Sequence, residues 1–269
     1  MITCDFQGRL GNNLFQIATV ASLANKLGVD FVLPETSLAG HRGEIPVNLD
    51  MFGYSFKREN YDSEFTYREE LFNYVEIEAI DNLKISGFFQ SSKYFENIKD
   101  LLVNKYFTPS TEVLNSLSKY EVSSKSLGIS VRRGDYLMLQ NNHCILSPQY
   151  YQDTFSKYLQ NKVDQIYIFS DDLDWCKQTF GQGIIYVEDT IGTQLFLMSK
   201  MKHLILSNST FAWWGGYLNQ NEGIIVAPDP WFGPDYIDKE VKDLYCSNWI
   251  RESHTVEVVP FSFTRNMFD

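Results

Sequence analysis

Short apolar runs alternate with stretches of helical periodicity along this chain, a pattern that predicts α/β architecture with parallel strands. The first unit is the clearest. Residues 2–6 read as a strand, 7–12 as a turn and about 13–27 as a helix, because Leu14, Ile17, Ala18, Ala21, Ala24 and Leu27 recur at helical spacing. Gly28 stands where a helix C-cap belongs, and Phe31-Val32-Leu33 before Pro34 is the next predicted strand. The stretch from 34 to about 82 mixes Gly, Pro and acidic residues and is expected to hold loops and short helices. Residues 83–89 read as a strand and 91–105 as a helix. Phe107-Thr108-Pro109-Ser110 then breaks the pattern, and a boundary between two halves is expected there.

The second half is more regular. Strands are predicted at 127–132, 165–170, 184–187, 204–207 and 223–227, with helices at 147–158, 193–201 and 211–219. Ser147-Pro148 supplies an N-cap and a first-turn proline to the first of these helices. Such alternation makes a doubly wound sheet, whose ligands sit beyond the carboxyl ends of the strands. The expected division is 1–108, 109–250 and a C-terminal tail at 251–269.

Charge narrows the partners. With 23 basic and 34 acidic residues the net charge is −11, which opposes binding to a nucleic-acid backbone. An acidic protein that binds a small phosphate ligand must do so through a local cluster of cations and backbone N–H groups, and the most compact arginine pair away from the termini is Arg132-Arg133. Cys4, Cys144, Cys176 and Cys246 form no CxxC pair, and His41, His143, His203 and His254 have no metal-ligand spacing. Free thiols in a reducing cytoplasm are expected, with no structural zinc. The start Met1-Ile2-Thr3-Cys4-Asp5 does not read as a signal peptide, and no uncharged run of membrane-spanning length occurs.

Three strand ends carry candidate chemistry. Arg132-Arg133-Gly134-Asp135-Tyr136 leaves a buried strand in a turn, and guanidinium forks match phosphate oxygens. Consecutive strand residues face opposite ways, so one arginine can meet a ligand while the other anchors the loop. The same residues also suit a structural ion pair with Asp135. Ser209 and Thr210 stand at a predicted helix N-terminus, where free N–H groups favour an anion, although plain N-capping explains them as well. Asp172-x-Asp174 has the form of a carboxylate pair that holds a divalent cation on donor phosphates; Asp at a helix start is equally a cap, and a carboxylate here could instead read guanine. Gly8-x-x-Gly11 is not a dinucleotide fingerprint, and Walker A, GxSxG and kinase signatures are absent.

Together, Gly8-Arg9-Leu10-Gly11-Asn12-Asn13-Leu14-Phe15-Gln16, Gly87-Phe88-Phe89-Gln90-Ser91-Ser92-Lys93-Tyr94-Phe95, Arg132-Arg133-Gly134-Asp135-Tyr136, Phe169-Ser170-Asp171-Asp172 and Ser207-Asn208-Ser209-Thr210-Phe211-Ala212-Trp213-Trp214-Gly215 resemble the bacterial α-1,2-fucosyltransferases of glycosyltransferase family 11. The resemblance implies a GT-B-like fold: two Rossmann-type halves facing across a cleft, the C-terminal one holding GDP-fucose. It implies inverting transfer of L-fucose to the 2-hydroxyl of a terminal galactoside, in surface-glycan or O-antigen synthesis, with no cofactor and no obligatory metal. By the same resemblance Arg132 would hold the diphosphate with support from Arg133, Ser209 and Thr210 would contact phosphate, and Asp171 would read guanine. Arg9, Asn12, Gln90 and Lys93 would line the acceptor side. The implied partners are the nucleotide-sugar donor and a galactose-terminated glycan, with room for peripheral association with a membrane-borne glycolipid acceptor. One departure stands out: the family usually has His two residues before the arginine pair, and this chain has Ser130.

The group that accepts the acceptor's proton is left open. Asp135 is nearest in sequence to the arginines, but beside two guanidiniums it is a poor base and orients the loop as readily; Asp5 and Glu188 also lie near strand ends. Two other functions stay in view: a metal-dependent transferase using Asp172 and Asp174, and a non-catalytic carbohydrate- or nucleotide-binding module.

Overall fold

The computed structural model describes residues 1–40 and 43–256; His41 and the part of the expected 251–269 tail after residue 256 lie outside the described residues. In chain order the elements are β1 (Ile2–Asp5), α1 (Leu10–Leu27), β2 (Thr36–Leu38), β3 (Glu44–Pro46), β4 (Phe65–Arg68), β5 (Leu83–Ser86), α2 (Lys99–Leu101), α3 (Thr111–Leu117) and β6 (Ser126–Val131). They continue with α4 (Pro148–Thr154), β7 (Gln165–Ser170), α5 (Leu173–Phe180), β8 (Ile185–Tyr186), α6 (Ile191–Ser199), β9 (His203–Ile205), α7 (Thr210–Tyr217), β10 (Ile225–Asp229) and β11 (Ile250–Ser253). A three-stranded parallel sheet runs β1-β5-β4, and a six-stranded parallel sheet runs β11-β10-β9-β6-β7-β8. In the larger sheet β6 is central, and the strand order reverses beside it.

Local chemistry explains the elements. β6 is buried at every position, as a strand covered on both faces should be. Helix α1 is buried from Asn13 to Ala24 because small and apolar residues surround its axis. It ends at Gly28 with φ 67°, as expected of a left-handed cap. Ser147 caps α4 by accepting from the Tyr150 N–H, with Pro148 in the first turn.

Several expectations are corrected. Helix α1 begins at Leu10, three positions ahead of the expected start and four ahead of Leu14, the first periodic apolar residue. Residues 31–33 make only isolated bridges, Ile2 to Phe31 and Leu33 to Arg58. The stretch 34–82 holds β2, β3 and β4 among its described residues, where loops and short helices were expected. The helix expected at 91–105 is a succession of short turns, Ser92–Tyr94, Glu96–Ile98, α2 and a wider turn at Leu102–Tyr106. Residues 251–253, assigned to a tail, belong to β11, which pairs in parallel with β10.

The two sheets share one hydrophobic core where α1 meets α7. Phe15 lies 4.4 Å from the Trp213 ring and 5.0 Å from that of Trp214, and Phe95 stacks on Trp214 at 5.5 Å. The Trp214 indole N–H donates to the Gly11 carbonyl at 2.9 Å. A Cβ on Gly11 would lie 2.5 Å from both the Phe211 nitrogen and Thr210 Oγ1, so this close crossing requires glycine. The crossing places the loop after β1 against the first turn of α7.

Candidate active site

The site grows from the carboxyl end of β6. Arg132, 21% exposed, leaves that strand, and its Nη1 pairs with Asp171 Oδ2 at 2.8 Å while its Nη2 pairs with Asp135 Oδ1. Asp135, 14% exposed, also receives Arg9 Nη2 at 2.7 Å, which ties the β1 loop of the small sheet to the centre of the large one. The Arg132 guanidinium lies 5.1 Å from the Tyr136 ring centre. Its two ion pairs leave a further N–H on each terminal nitrogen, and the fork is held in place by groups on separate loops.

Arg133 turns the other way, as alternation along a strand demands. Its guanidinium stacks 3.9 Å over Trp175, its Nε donates to Asp172 Oδ2 at 3.1 Å, and its backbone N–H donates to Asp171 Oδ1 at 2.9 Å. Arg133 is therefore an anchor. Gly134 is needed for close approach, since a Cβ there would overlap Asp171 Oδ2. Asp171 has both oxygens engaged, one on Arg132 and one on the Arg133 N–H, so it fastens β7 to the arginine loop.

Asp172 caps α5 by accepting from the Trp175 N–H at 3.2 Å, and its other oxygen serves Arg133. Asp174 is an exposed first-turn residue of the same helix. Among the described residues no group of three or more His, Cys, Asp or Glu side chains converges as a metal cage.

Ser209 is the N-cap residue of α7, with extended backbone and no side-chain bond to the helix. Ser209 and Thr210 are both half-buried, and Thr210 Oγ1 lies beside Gly11. Behind them Tyr136 donates its hydroxyl to the Asn208 carbonyl at 3.2 Å and stacks on His143 at 4.2 Å. Burial pushes the His143 imidazole down to about 4, and its Nδ1 is enclosed without a hydrogen-bond partner. The Ser130 and Ser207 hydroxyls meet at 2.9 Å in the interior, joining β6 to the strand end of β9 where the resemblance leads one to expect an imidazole.

The model for "Glycosyl transferase family 11" matches residues 1–253. The chain belongs to glycosyltransferase family 11. An alpha-1,2-colitosyltransferase of Escherichia coli is 32% identical over 166 residues, 56% of this chain and 57% of that protein. An O-antigen biosynthesis glycosyltransferase of Escherichia coli, WbnK, is 28% identical over 76% of this chain and 71% of its own length. The mouse (Mus musculus) galactoside alpha-(1,2)-fucosyltransferase 1 is 24% identical over 82% of this chain and 64% of its own length. The chain thus spans between about half and three-quarters of these relatives. Two solved structures share the fold: POFUT1 in complex with GDP-fucose, with TM-score 0.53, 13% identity and coverage of 82% of this chain and 95% of that one, and NodZ alpha-1,6-fucosyltransferase soaked with GDP-fucose, with TM-score 0.53, 11% identity and coverage of 85% and 95%. The GT-B-like architecture expected from the sequence is the fold observed.

The other family 11 positions divide into two groups. Arg9 reaches the arginine cluster, and Asn12 accepts from Gln90 Nε2 at 2.9 Å just beside it. Lys93 does not join them: it pairs with the buried Asp243 at 2.6 Å and lines a hollow of about 400 Å³ with Thr19, Lys26, Tyr74 and Asn97, along the flank of α1. Another hollow, of about 460 Å³, is lined by Asn25 and residues 96–101, and neither hollow includes Arg9, Arg132 or Asp135. The motif residues Asn13 and Gln16 are structural, binding Ser37, the Gln7 carbonyl and the Gly87 carbonyl inside the small half.

Each of the two spare base candidates stands beside a lysine. Asp5 faces Lys84 at 3.5 Å, and Glu188, 64% exposed, pairs with Lys177 beyond β8 at the sheet's edge. Sequence reading missed Glu69, whose carboxylate accepts from the Phe88 N–H at 2.7 Å and the Phe89 N–H at 3.0 Å. In sequence it sits in an acidic pair with Glu70, and nothing there separates it from a solvated run. No helix among the described residues is long and apolar enough to cross a membrane.

Proposed function

We propose that this family 11 enzyme transfers L-fucose from GDP-fucose to the 2-hydroxyl of a terminal galactoside, with inversion and without an obligatory metal, in synthesis of a surface glycan of the O-antigen kind. The observation that carries the reading is the Arg132 fork. It stands at the carboxyl end of the central strand, beside the first turn of α7 and across from Arg9 of the other half. The named activities of the Escherichia coli and mouse relatives agree with it, as do the POFUT1 complex with GDP-fucose and the NodZ crystal soaked with GDP-fucose.

Breaking the fucose–phosphate bond puts positive charge on the sugar and negative charge on the departing GDP. A fixed guanidinium and the α7 N-terminus stabilise that charge where it forms, and they need no reorganisation at the moment of reaction. The charges already present matter. Arg9, Arg132 and Arg133 face Asp135, Asp171 and Asp172, so the cluster is neutral before a donor arrives. The diphosphate therefore has to use the N–H groups that the carboxylates leave, or take a carboxylate's place on Arg132. Residues 1–108 would carry the acceptor and residues 109–250 the donor. A cation at Asp172 would have to displace both Arg133 and the α5 cap, which favours catalysis without metal. The relative named for colitose transfer favours a second donor, a colitosyl nucleotide, at the same site.

A thermal-shift panel of GDP, UDP, CMP and ADP tests the donor class. At a hundredfold excess over Kd the preferred nucleotide stabilises the fold by about 2.7 kcal/mol. GDP alone is expected to do so, and equal shifts from all four would sink the reading. Transfer from GDP-fucose to β-galactosides should survive EDTA; abolition of activity by EDTA with recovery on Mn²⁺ would favour the Asp172–Asp174 metal mechanism.

A further inference from the structure

Glu69 lies one residue past the end of β4, and the register Asp5–Ser86–Arg68 across the small sheet places it level with Phe6 and Gly87. With strands about 4.8 Å apart, it stands roughly 10 Å along the rim from the end of β1. The rim is the one from which Arg9 reaches Asp135. The backbone around Glu69 is shaped to hold it. Gly87 has φ 156°, and a Cβ there would come within 2.8 Å of Glu69 Oε2. Phe89 adopts φ 53°, a costly conformation for an aromatic residue, and in it aims its N–H at the same carboxylate.

What surrounds Glu69 suits a sugar. Phe88 next to it is exposed, and Phe72 from the same half meets Phe232 of the other at 5.2 Å. Lys239, beyond β10, lies over the Tyr236, Phe232 and Phe72 rings at 4.0, 5.1 and 5.4 Å. Glu69 therefore lies beside the seam between the halves, and the exposed Phe88 ring next to it suits the apolar side of a pyranose. Its Oε2 accepts from Phe88, both oxygens approach the Phe89 N–H, and Oε1 keeps a lone pair.

We infer that Glu69 is the catalytic residue that takes the proton from the attacking hydroxyl of the acceptor sugar. The inference rests on the transferase reading above. In the step, the acceptor oxygen bonds to the anomeric carbon of the donor sugar, and the bond from that carbon to the β-phosphate oxygen breaks with its electron pair leaving on GDP. The hydroxyl proton passes to Glu69 Oε1. Burial lifts this carboxyl above its usual range, against the pull of the two backbone N–H groups and the nearby Lys239. That direction suits a base. Tyr67 and Tyr94 also lie around it, and Arg68 and Glu70 flank it in the chain.

The test is Glu69→Gln in the full chain, with three readouts: fucose transfer to a β-galactoside, hydrolysis of GDP-fucose by water, and the GDP thermal shift. The expected result is transfer reduced by about two to four orders of magnitude, with hydrolysis and the GDP shift within about threefold of native. The native enzyme's transfer rate should also fall on the acid side as Glu69 protonates, and hydrolysis should not follow it. That measurement decides the matter if the variant fails to fold. Near-normal transfer by the variant overturns the inference, as does equal loss of all three activities, which marks a purely structural carboxylate. Absence of fucose transfer by the native chain overturns the transferase reading and this inference with it.

Discussion

Replacing Arg132 with Ala removes the fork but leaves each carboxylate another partner. Asp135 keeps Arg9 at 2.7 Å, and Asp171 keeps the Arg133 N–H at 2.9 Å. The side chain is 21% exposed, so solvent screens part of what its ion pairs contribute. A stability loss of about 1 kcal/mol is expected, or a few degrees in Tm for a chain of this size. Against a folding free energy of roughly 5–15 kcal/mol, the variant stays folded. Catalysis has no such reserve. Loss of one preorganised donor to the leaving group costs about two to four orders of magnitude in kcat, equivalent to about 3–5 kcal/mol at the transition state.

The gap between these two magnitudes decides the assignment. Steady-state transfer from GDP-fucose gives kcat, and the melting curve of the same preparation gives the fold. Arg132→Lys should fall within about tenfold of Ala, because a point charge cannot span both Asp135 and Asp171 while facing a phosphate. A folded Ala variant with kcat within about threefold of native would remove Arg132 from the chemistry. A collapse in Tm that accounts for the lost rate would make it structural.

Gly11→Ala should lower Tm by several degrees and weaken the GDP thermal shift, because its Cβ would press on Thr210 Oγ1 and the Phe211 nitrogen; an unchanged shift would show that the first turn of α7 is not part of the donor site. His143 predicts an acid-sensitive fold. Its native value of about 4 lies below the unfolded value of 6.5, so the unfolded chain binds the proton first, and stability drains as pH falls from about 6.5 towards 4, by up to about 3 kcal/mol. Urea unfolding at both ends of that window should show a smaller loss for His143→Phe than for the native chain, and equal losses would refute the assignment.

The larger sheet was legible because strands buried on both faces leave unbroken apolar runs: Ser126–Val131 and Gln165–Ser170 are found within a residue of expectation. The small half was legible only in β1, α1 and β5. β4 is exposed or half-exposed along its length and β3 likewise, so neither prints an apolar run, and their stretch read as loop. Residues 91–105 carry apolar side chains at near-helical spacing, but turns of differing pitch break the ladder. β11 alternates half-buried and exposed positions, and only its pairing with β10 makes it a strand.

At the site, the arginine pair and the glycine after it could be found from residue type and strand end alone. Of the partners only Asp135 could, because Asp171 and Arg9 come from other loops. Neither the hold of Asp171 on Arg132 and the Arg133 N–H nor the pairing of Lys93 with Asp243 can be read from the sequence. The same convergence bears on what Arg132 is for. A guanidinium needed only to stabilise the fold would be served by one carboxylate, and apolar packing often does as well as a buried ion pair. Here two carboxylates hold one fork, one of them shared with an arginine from the other half, and the ensemble is neutral. In a chain of net charge −11, an unbalanced cationic cluster would bind its own carboxylates at random. Matching each arginine to a fixed acid holds the fork in place and leaves a further N–H on each of its terminal nitrogens, which a departing diphosphate would need.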